Sequence, residues 1–495
     1  MIDSWIAIII TIVTATFFLL IGIFGVRRRV KGIEDFLVAR NSAGLKVSTA
    51  TLVASVIGAW VLLSPAETGT WAGLVALIGY GIGQAAPLLA FVFVGPRIRL
   101  MMPAGHSLTE YVWHRYGRVM YGFSLIVMIF YMFVFMSAEL TGISQAVRLL
   151  GDIPLWLTAM IVGILTVAYT AYGGIRASIF TDTIQFSFIL PLLVISFVAA
   201  VMALGGFGSA LAPVREEASQ LLSFTHRPGI EFGFTLIIAV FAANMFHQGF
   251  WQRVYAAKDD HALRIGFGVA GTVVVPVILL AGLLGIMAVG QDVVKDPSVA
   301  LFSLVNAVMP TWAVVGVLIL ALVLVMSSLD TLLNGIASII TSDLARFKLD
   351  LGGLSLMQSS RFITVILIIP AIFIASRGWS VLYLFLIADL VCSAAVFPVL
   401  WGFYSSRFTG RAALISSLAG LVVGALFFPK SDFSPWLPNI FWAGKFLASF
   451  GFALGVSVAS SLVLTSVLRY FKVEDEFEFS HLREQVSLID GGDSS

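Results

Sequence analysis

Thirteen apolar runs, each of eighteen residues or more, follow one another along this chain. They lie at about 5–27, 47–72, 74–96, 119–149, 155–173, 178–205, 232–256, 263–290, 309–341, 359–377, 380–405, 411–428 and 440–470. A helix of that length crosses a hydrocarbon core about 30 Å thick, and backbone inside lipid has to bond to itself. The pattern therefore predicts an all-α integral membrane protein with about thirteen transmembrane helices. Composition agrees: the chain is 59% hydrophobic and 11% charged, against about 25% charged in soluble domains. The first run is too long for a cleaved signal peptide and has no small-residue cleavage site before the basic cluster that follows. A net charge of +2 gives no reason to expect a nucleic-acid partner, and the single cysteine, Cys392, excludes an intrachain disulfide framework.

Placing the N-terminus outside the cell and the C-terminus in the cytoplasm puts about three quarters of the 29 Lys and Arg residues in cytoplasmic segments. They include Arg27, Arg28 and Arg29 after the first run, Arg253 at the end of the seventh, and Arg469 and Lys472 after the last. This is the asymmetry of the positive-inside rule, here for a multi-pass protein of the cell membrane. Residues 1–470 read as one transmembrane domain. Residues 471–495 form a charged tail too short to bury a core, expected to be disordered or to lie on the membrane surface. The segment 106–118, HSLTEYVWHRYGR, has a Ser cap and an amphipathic spread, so it reads as a short interfacial helix; an ordinary basic loop has the same composition. The oligomeric state has no signature in the sequence.

Two spans carry interruptions. In the second, STATLVASVIGAWVLLSPAETG, Gly58 and then Ser64-Pro65 predict that the hydrogen-bond ladder fails between about 57 and 66. In the seventh, FAANMFHQGFWQR, Asn244, His247, Gln248 and Gly249 interrupt an apolar helix. Broken backbone at membrane depth is tolerated only where protein or a water-lined cavity satisfies it. Two such helices five spans apart are the mark of an inverted repeat with a binding site near the midplane, although two kinked packing helices would look the same. Polar side chains cluster nearby. Asp182 lies in AYGGIRASIFTDTIQ, where an unpartnered carboxylate costs roughly 2.5–3.5 kcal/mol. Ser327, Asp330 and Thr331 share one face of the ninth span, with Ser328 beside them. Hydroxyls bonding back to their own helix account for Ser327, Ser328 and Thr331 but not for Asp330. Glu139, Asp389 and His247 are further ionisable groups inside apolar runs, each either a ligand-site residue or a bonded packing residue.

The string Gly173, Gly174, Ala177, Thr181, Asp182, Gln185 resembles a signature of the sodium:solute symporter family. Leu108, Thr109, Glu110, Tyr111, Arg115 and Gly117 resemble that family's cytoplasmic loop. Glu34-Asp35-Phe36 with Ala39-Arg40-Asn41 is similar to the segment after its first helix, and Gln252-Arg253 with Ala256-Ala257-Lys258 to the segment after its second broken helix. The resemblance runs over about residues 5–470 and implies a 5+5 inverted-repeat core, spans 2–6 and 7–11, over about 47–205 and 232–405. It implies one Na⁺ site from the carbonyls of Ala54, Ile57 and Leu324 and the hydroxyls of Ser327 and Ser328. It implies a possible second cation site from Asp182, Asp330 and Thr331. Many relatives have a hydroxyl where Asp330 stands, so two carboxylates here would hold Na⁺ more tightly or share a proton when it leaves. Trp60, Glu139, His247, Gln248 and Asp389 are implied for the substrate cavity, His247 standing where relatives have Asn.

The expected function is Na⁺-coupled symport of a small organic solute by alternating access, with the lipid bilayer and Na⁺ as partners, no cofactor and no enzymatic chemistry. Glu139 and Asp389 favour a nitrogen compound such as an amino acid, an amine or a urea-like solute. No GxxxxGK[ST] phosphate cradle is present, which argues against ATP-driven pumping, and the six His residues are scattered without a Cys partner. A sensor that retains the transporter fold is the alternative, and a channel the third class.

Overall fold

Glycine, proline and capping polar residues divide the apolar runs into helices. A computed structural model describes residues 2–27, 30–349, 351–430, 434–437, 439, 441–471 and 476–489; Arg28, Arg29 and Lys472 lie outside the described residues. In chain order the helices are α1 (Ser4–Val26), α2 (Ile33–Leu37), α3 (Leu45–Val56), α4 (Ser64–Trp71), α5 (Gly73–Met101), α6 (Leu108–Tyr116), α7 (Arg118–Gly151), α8 (Leu155–Ala203), α9 (Phe207–Glu217) and α10 (Arg227–Met245). They continue with α11 (Gln248–Ala256), α12 (Asp260–Gly290), α13 (Ala300–Val308), α14 (Thr311–Arg346), α15 (Leu356–Ala375), α16 (Val381–Trp401), α17 (Gly410–Phe427), α18 (Phe446–Phe471) and α19 (Ser480–Gln485).

Among the described residues eleven helices are long and apolar enough to cross a membrane, and the pair α3–α4, bent by 51°, adds a twelfth. At 49 residues, α8 would be about 74 Å long if straight, more than twice a hydrocarbon core. It breaks at Gly174, whose φ of 55° and ψ of −146° are not helical, so the expected fifth and sixth runs are its two halves. A Cβ there would lie 2.3 Å from the Phe36 carbonyl oxygen. The Gly-Gly of the signature is thus a joint that only glycine fits.

At the centre runs α14, where every residue from Leu320 to Ile339 is buried, as expected of a helix enclosed on all sides. It packs on α8 and α7, while α5 packs between α10 and α12. Two helices in connecting segments, α9 and α13, had no sequence signal. The expected short helix over 106–118 is α6, capped by Ser107, whose Oγ accepts from the Glu110 amide at 3.1 Å. It is docked rather than afloat, with Tyr111, Glu110 and Arg115 buried. The tail also differs from expectation. Arg407 pairs with Glu476, Phe477 N donates to the Ser406 carbonyl at 3.0 Å, and Leu482 of α19 is buried. A segment that cannot bury its own core uses the core of its neighbour.

Outside the spans, at the α6 end of the bundle, one buried imidazole gathers charges from several elements. His106 Nε2 lies 2.8 Å from Glu34 Oε2, and its Nδ1 lies 3.2 Å from Glu110 Oε2. Arg40 bonds Glu34 and the carbonyls of Pro103, Ala104 and Gly105, and Arg346 lies 3.3 Å from Glu110. Burial works to lower the His106 pKa, but the two carboxylates outweigh it and raise it to about 9. Burial likewise raises that of Glu110, and His106 and Arg346 outweigh it, holding the carboxyl down at about 2.

Two outcomes are expected. Gly174→Ala should lower the melting temperature of the detergent-purified protein, because a left-handed φ and a blocked Cβ together cost on the order of 1–3 kcal/mol; an unchanged melting curve would refute the joint. For His106, the folded pKa lies above the unfolded value of about 6.5. Its stabilisation is therefore complete below pH 6.5 and is lost as pH rises toward about 9. The melting-temperature gap between wild type and His106→Gln should narrow over that window, and a constant gap would show that the imidazolium contributes nothing.

Candidate functional site

The first break begins where α3 ends at Val56. Ile57 leaves helical geometry (φ −92°, ψ 85°), Gly58 is extended, and a single 3₁₀ turn, Ala59–Leu62, leads into α4. The expected failure between 57 and 66 is where the ladder stops. Freed amides at the start of a helix need an acceptor, and α7 supplies one. Glu139 Oε2 accepts from Ala59 N at 2.9 Å and from Ser328 Oγ at 2.8 Å, while Oε1 accepts from Trp60 N at 3.3 Å. A Cβ on Gly58 would lie 2.6 Å from the same carboxylate. Across the break, Trp60 Nε1 donates to the Val56 carbonyl at 3.2 Å. Glu139 was expected in the substrate cavity; it caps the break instead.

The second break separates α10 from α11 at Phe246–His247. His247 is the extended residue that turns the chain, and its carbonyl accepts from Phe250 N at 3.0 Å. Every residue of α11 is buried, including Arg253. The Arg253 guanidinium reaches Asp182 Oδ2 and Thr331 Oγ1 from Nη2, at 2.7 and 2.9 Å. Its Nε donates to Thr51 Oγ1 at 3.1 Å and its Nη1 to the Gly249 carbonyl at 3.1 Å. Asp182 also accepts from Thr51 Oγ1 and Ser327 Oγ, both at 2.6 Å. Asp330 takes its hydrogen bonds from hydroxyls: Ser178 at 2.7 Å, Tyr169 at 2.8 Å, Thr181 at 3.2 Å and Thr331 at 3.3 Å.

Asp182, Asp330 and Thr331 are therefore brought together, as expected, but around a cation that the protein itself carries. Arg253 had been assigned to a cytoplasmic segment, although the expected seventh span, 232–256, already contained it. An arginine inside a span is a signal in itself. Arg176, the nearer arginine in sequence, pairs with Asp35 at 2.7 Å instead. Ser327 and Ser328, adjacent in sequence, bond two different carboxylates. With both carboxylates ionised the cluster would carry one uncompensated negative charge, and a hydroxyl such as that of Ser327, which donates to a carboxylate, has lone pairs that can accept a cation.

Beside the first break lies a cavity of about 30 Å³, lined by Trp60, Tyr80, Tyr131, Phe135, Phe385 and Asp389, with Gln84 and Asn244 among the remaining lining residues. Its free space is water-sized, so side chains have to move to admit a solute. Trp60 stacks on Tyr80 at 5.7 Å between centroids. Asp389 is 4% exposed, and among the described residues none donates to its carboxylate. Of the five residues expected here, Trp60 and Asp389 line the cavity; Glu139, His247 and Gln248 do not. His247 stacks on Phe250 at 4.5 Å and meets the edges of Phe135 and Tyr131 at 5.7 and 6.2 Å, behind the wall. Gln248 turns away, its Nε2 donating to the His106 carbonyl at 2.8 Å. The break redirects the helix after residue 247, which sequence spacing does not record.

Removing one partner of the buried Asp182–Arg253 pair should be costly, because the other charge is left uncompensated, at about 3–5 kcal/mol. Arg253→Gln and Asp182→Asn should each lower thermal stability in detergent, and the double variant should recover part of the loss. Additive losses in the double variant would mean the two charges do not depend on each other.

The model of the sodium:solute symporter family matches residues 36–420. A spermidine transporter of Candida albicans is 28% identical over 481 residues, covering 92% of this chain and 89% of its own length. A high-affinity proline transporter of Bacillus subtilis is 26% identical, covering 90% and 94%. The solved structure of a Na⁺-coupled sialic acid symporter, substrate-bound and outward-open, superposes with a TM-score of 0.74 at 16% identity, over 93% of this chain and 98% of that one. The architecture, two broken helices in corresponding positions of an inverted repeat, is shared. This chain belongs to the sodium:solute symporter family, a secondary active transporter that moves small solutes with Na⁺ and performs no enzymatic chemistry.

Proposed function

We propose that the protein takes up a cationic amine across the cell membrane, with its N-terminus outside and its C-terminus in the cytoplasm. The observation that carries the substrate class is Asp389: a buried carboxylate with no donor among the described residues, facing aromatic rings. An ammonium group satisfies both parts, by ion pairing with the carboxylate and by cation–π attraction to Trp60, Tyr80 and Tyr131. The similarity to a spermidine transporter supports the same class. The excess of Lys and Arg on one side of the spans supports the orientation, and the α6 end of the bundle is then cytoplasmic.

The first Na⁺ is bound by the carbonyls of Ala54, Ile57 and Leu324 with the hydroxyls of Ser327 and Ser328. The end of α3 supports this. Its last carbonyls lose their helical donors; Ile57 N takes that of Val53 and Trp60 Nε1 that of Val56, and those of Ala54, Ser55 and Ile57 accept from no backbone amide among the described residues, which leaves Ala54 and Ile57 available to a cation. The second cation joins Asp182, Asp330 and Thr331, where Arg253 balances only one of the two carboxylates. Asp330 supplies the charge for it.

Three results test this in proteoliposomes. Ser327→Ala or Ser328→Ala should raise the Na⁺ concentration for half-maximal uptake several-fold, on the order of 1 kcal/mol, with a smaller effect on substrate affinity at saturating Na⁺; unchanged Na⁺ activation in the double variant removes the pair from the site. Asp330→Ser should lower the Na⁺ Hill coefficient toward one, and an unaltered coefficient discards the second site. Asp389→Asn should abolish competition by alkylamines while thermal stabilisation by Na⁺ persists; retained amine competition would end the amine reading.

A further inference from the structure

Resting on the reading of Asp389 as an ammonium site, we propose that a second ammonium site exists at Glu67, and that the preferred substrate is a long, flexible cation with an amine at each end. Glu67 lies on α4, one turn beyond Ser64 on the half of the broken helix that leads away from the ion cluster. Its Oε1 accepts from Ser380 Oγ at 3.2 Å, and its Oε2 is buried with no partner among the described residues. A carboxylate oxygen enclosed without a donor is a group awaiting one.

The two carboxylates are linked by one helix face. Ser380 caps α16, its Oγ accepting from Tyr383 N at 3.3 Å. From there Leu382, Phe385, Leu386 and Asp389 all line the cavity, at the spacing of a single stripe along a helix. Nine residues at 1.5 Å each separate Ser380 from Asp389 by about 13.5 Å along the axis. Tyr80 links the cavity wall to the Glu67 end. Its ring stacks on Trp60 in the cavity wall, and its hydroxyl donates to Ser64 Oγ at 3.0 Å, one turn from Glu67. A ligand between the carboxylates therefore meets aromatic and aliphatic surface along its middle and charge at its two ends.

That geometry sets a length. An extended chain advances about 1.2 Å per bond, from the 3.3–3.6 Å of a three-bond residue. Each ammonium stands up to about 2.8 Å inside its carboxylate. The terminal nitrogens are then separated by roughly seven to eleven bonds. Short diamines reach one carboxylate only, and monoamines leave Glu67 without a donor.

The probes are α,ω-diaminoalkanes of three to twelve carbons and n-alkylamines of matched length, competing in Na⁺-dependent binding to the purified full-length protein. In the wild type, diamines of about six to ten carbons should bind about tenfold or more tighter than matched monoamines, the value of one charge-assisted pair. Glu67→Gln should erase that advantage and leave monoamine affinity unchanged. Glu67→Asp, which keeps the charge on a shorter arm, should move the optimum to a longer diamine. A flat length profile in the wild type overturns the second site whether or not any variant folds, and so does a Glu67→Gln profile identical to wild type. Loss of the diamine advantage with monoamine binding intact supports it. If no amine of any length binds, the amine reading of Asp389 fails, a result distinct from a failure at Glu67 alone.

Discussion

Asp182 and Arg253, 2.7 Å apart and both buried, hold together elements that would otherwise have no reason to meet. Through Thr51 the pair reaches the first half of one broken helix, and through Arg253 itself the second half of the other. Through Ser327 and Thr331 it reaches α14, and Asp182 belongs to the second half of α8. A carboxylate or a guanidinium alone at that depth would be strongly unfavourable. Together, with hydroxyls completing their hydrogen bonds, they tie the halves nearest the α6 end to the central helix. Movement of either half has to break or carry this pair.

Glu139 does for the first break what Asp182 does for the cluster below it. A helix interrupted in lipid leaves amides that water cannot reach, and a carboxylate satisfies two of them at once while accepting from Ser328. The adjacent serines of α14 thereby report on different things. Ser327 answers to the Asp182–Arg253 pair, and Ser328 to the cap of the broken helix. An ion bound between them touches the hydrogen-bond system of both, and thus both the core of the bundle and the wall of the cavity that Trp60 shares.

At the α6 end the same arrangement recurs. His106, Glu34, Glu110, Arg40 and Arg346 come from three separate stretches of chain, and Gln248 of α11 donates to the His106 carbonyl. The second broken helix is therefore anchored on that side by Arg253 within the bundle and by Gln248 and Gln252, which donate to the carbonyls of His106 and Leu37. At the opposite end of the cavity Glu67 bonds Ser380 between α4 and α16, with Asp296 near enough to act on its charge.

The sequence alone determined what depends on neighbours along the chain. Run length set the class, Gly58 with Ser64-Pro65 located the first break, and the gap between the fifth and sixth runs located the joint of α8. The spacing of Ser327, Asp330 and Thr331 put them on one face, because backbone geometry and helical periodicity are local. Partnership is not local. Asp182 meets Arg253 across 71 residues and Glu139 meets Ala59 across 80, so an arginine read as a loop charge proved to be the counter-ion, and a carboxylate read as a substrate contact proved to be a cap. His247 and Gln248 point away from the cavity because the chain turns between α10 and α11, and Asp389 faces it because α16 presents that stripe. Periodicity records which residues share a helix face; only the packing of the helices decided what each face meets, since buried charges take the partners that the tertiary structure brings within hydrogen-bond reach.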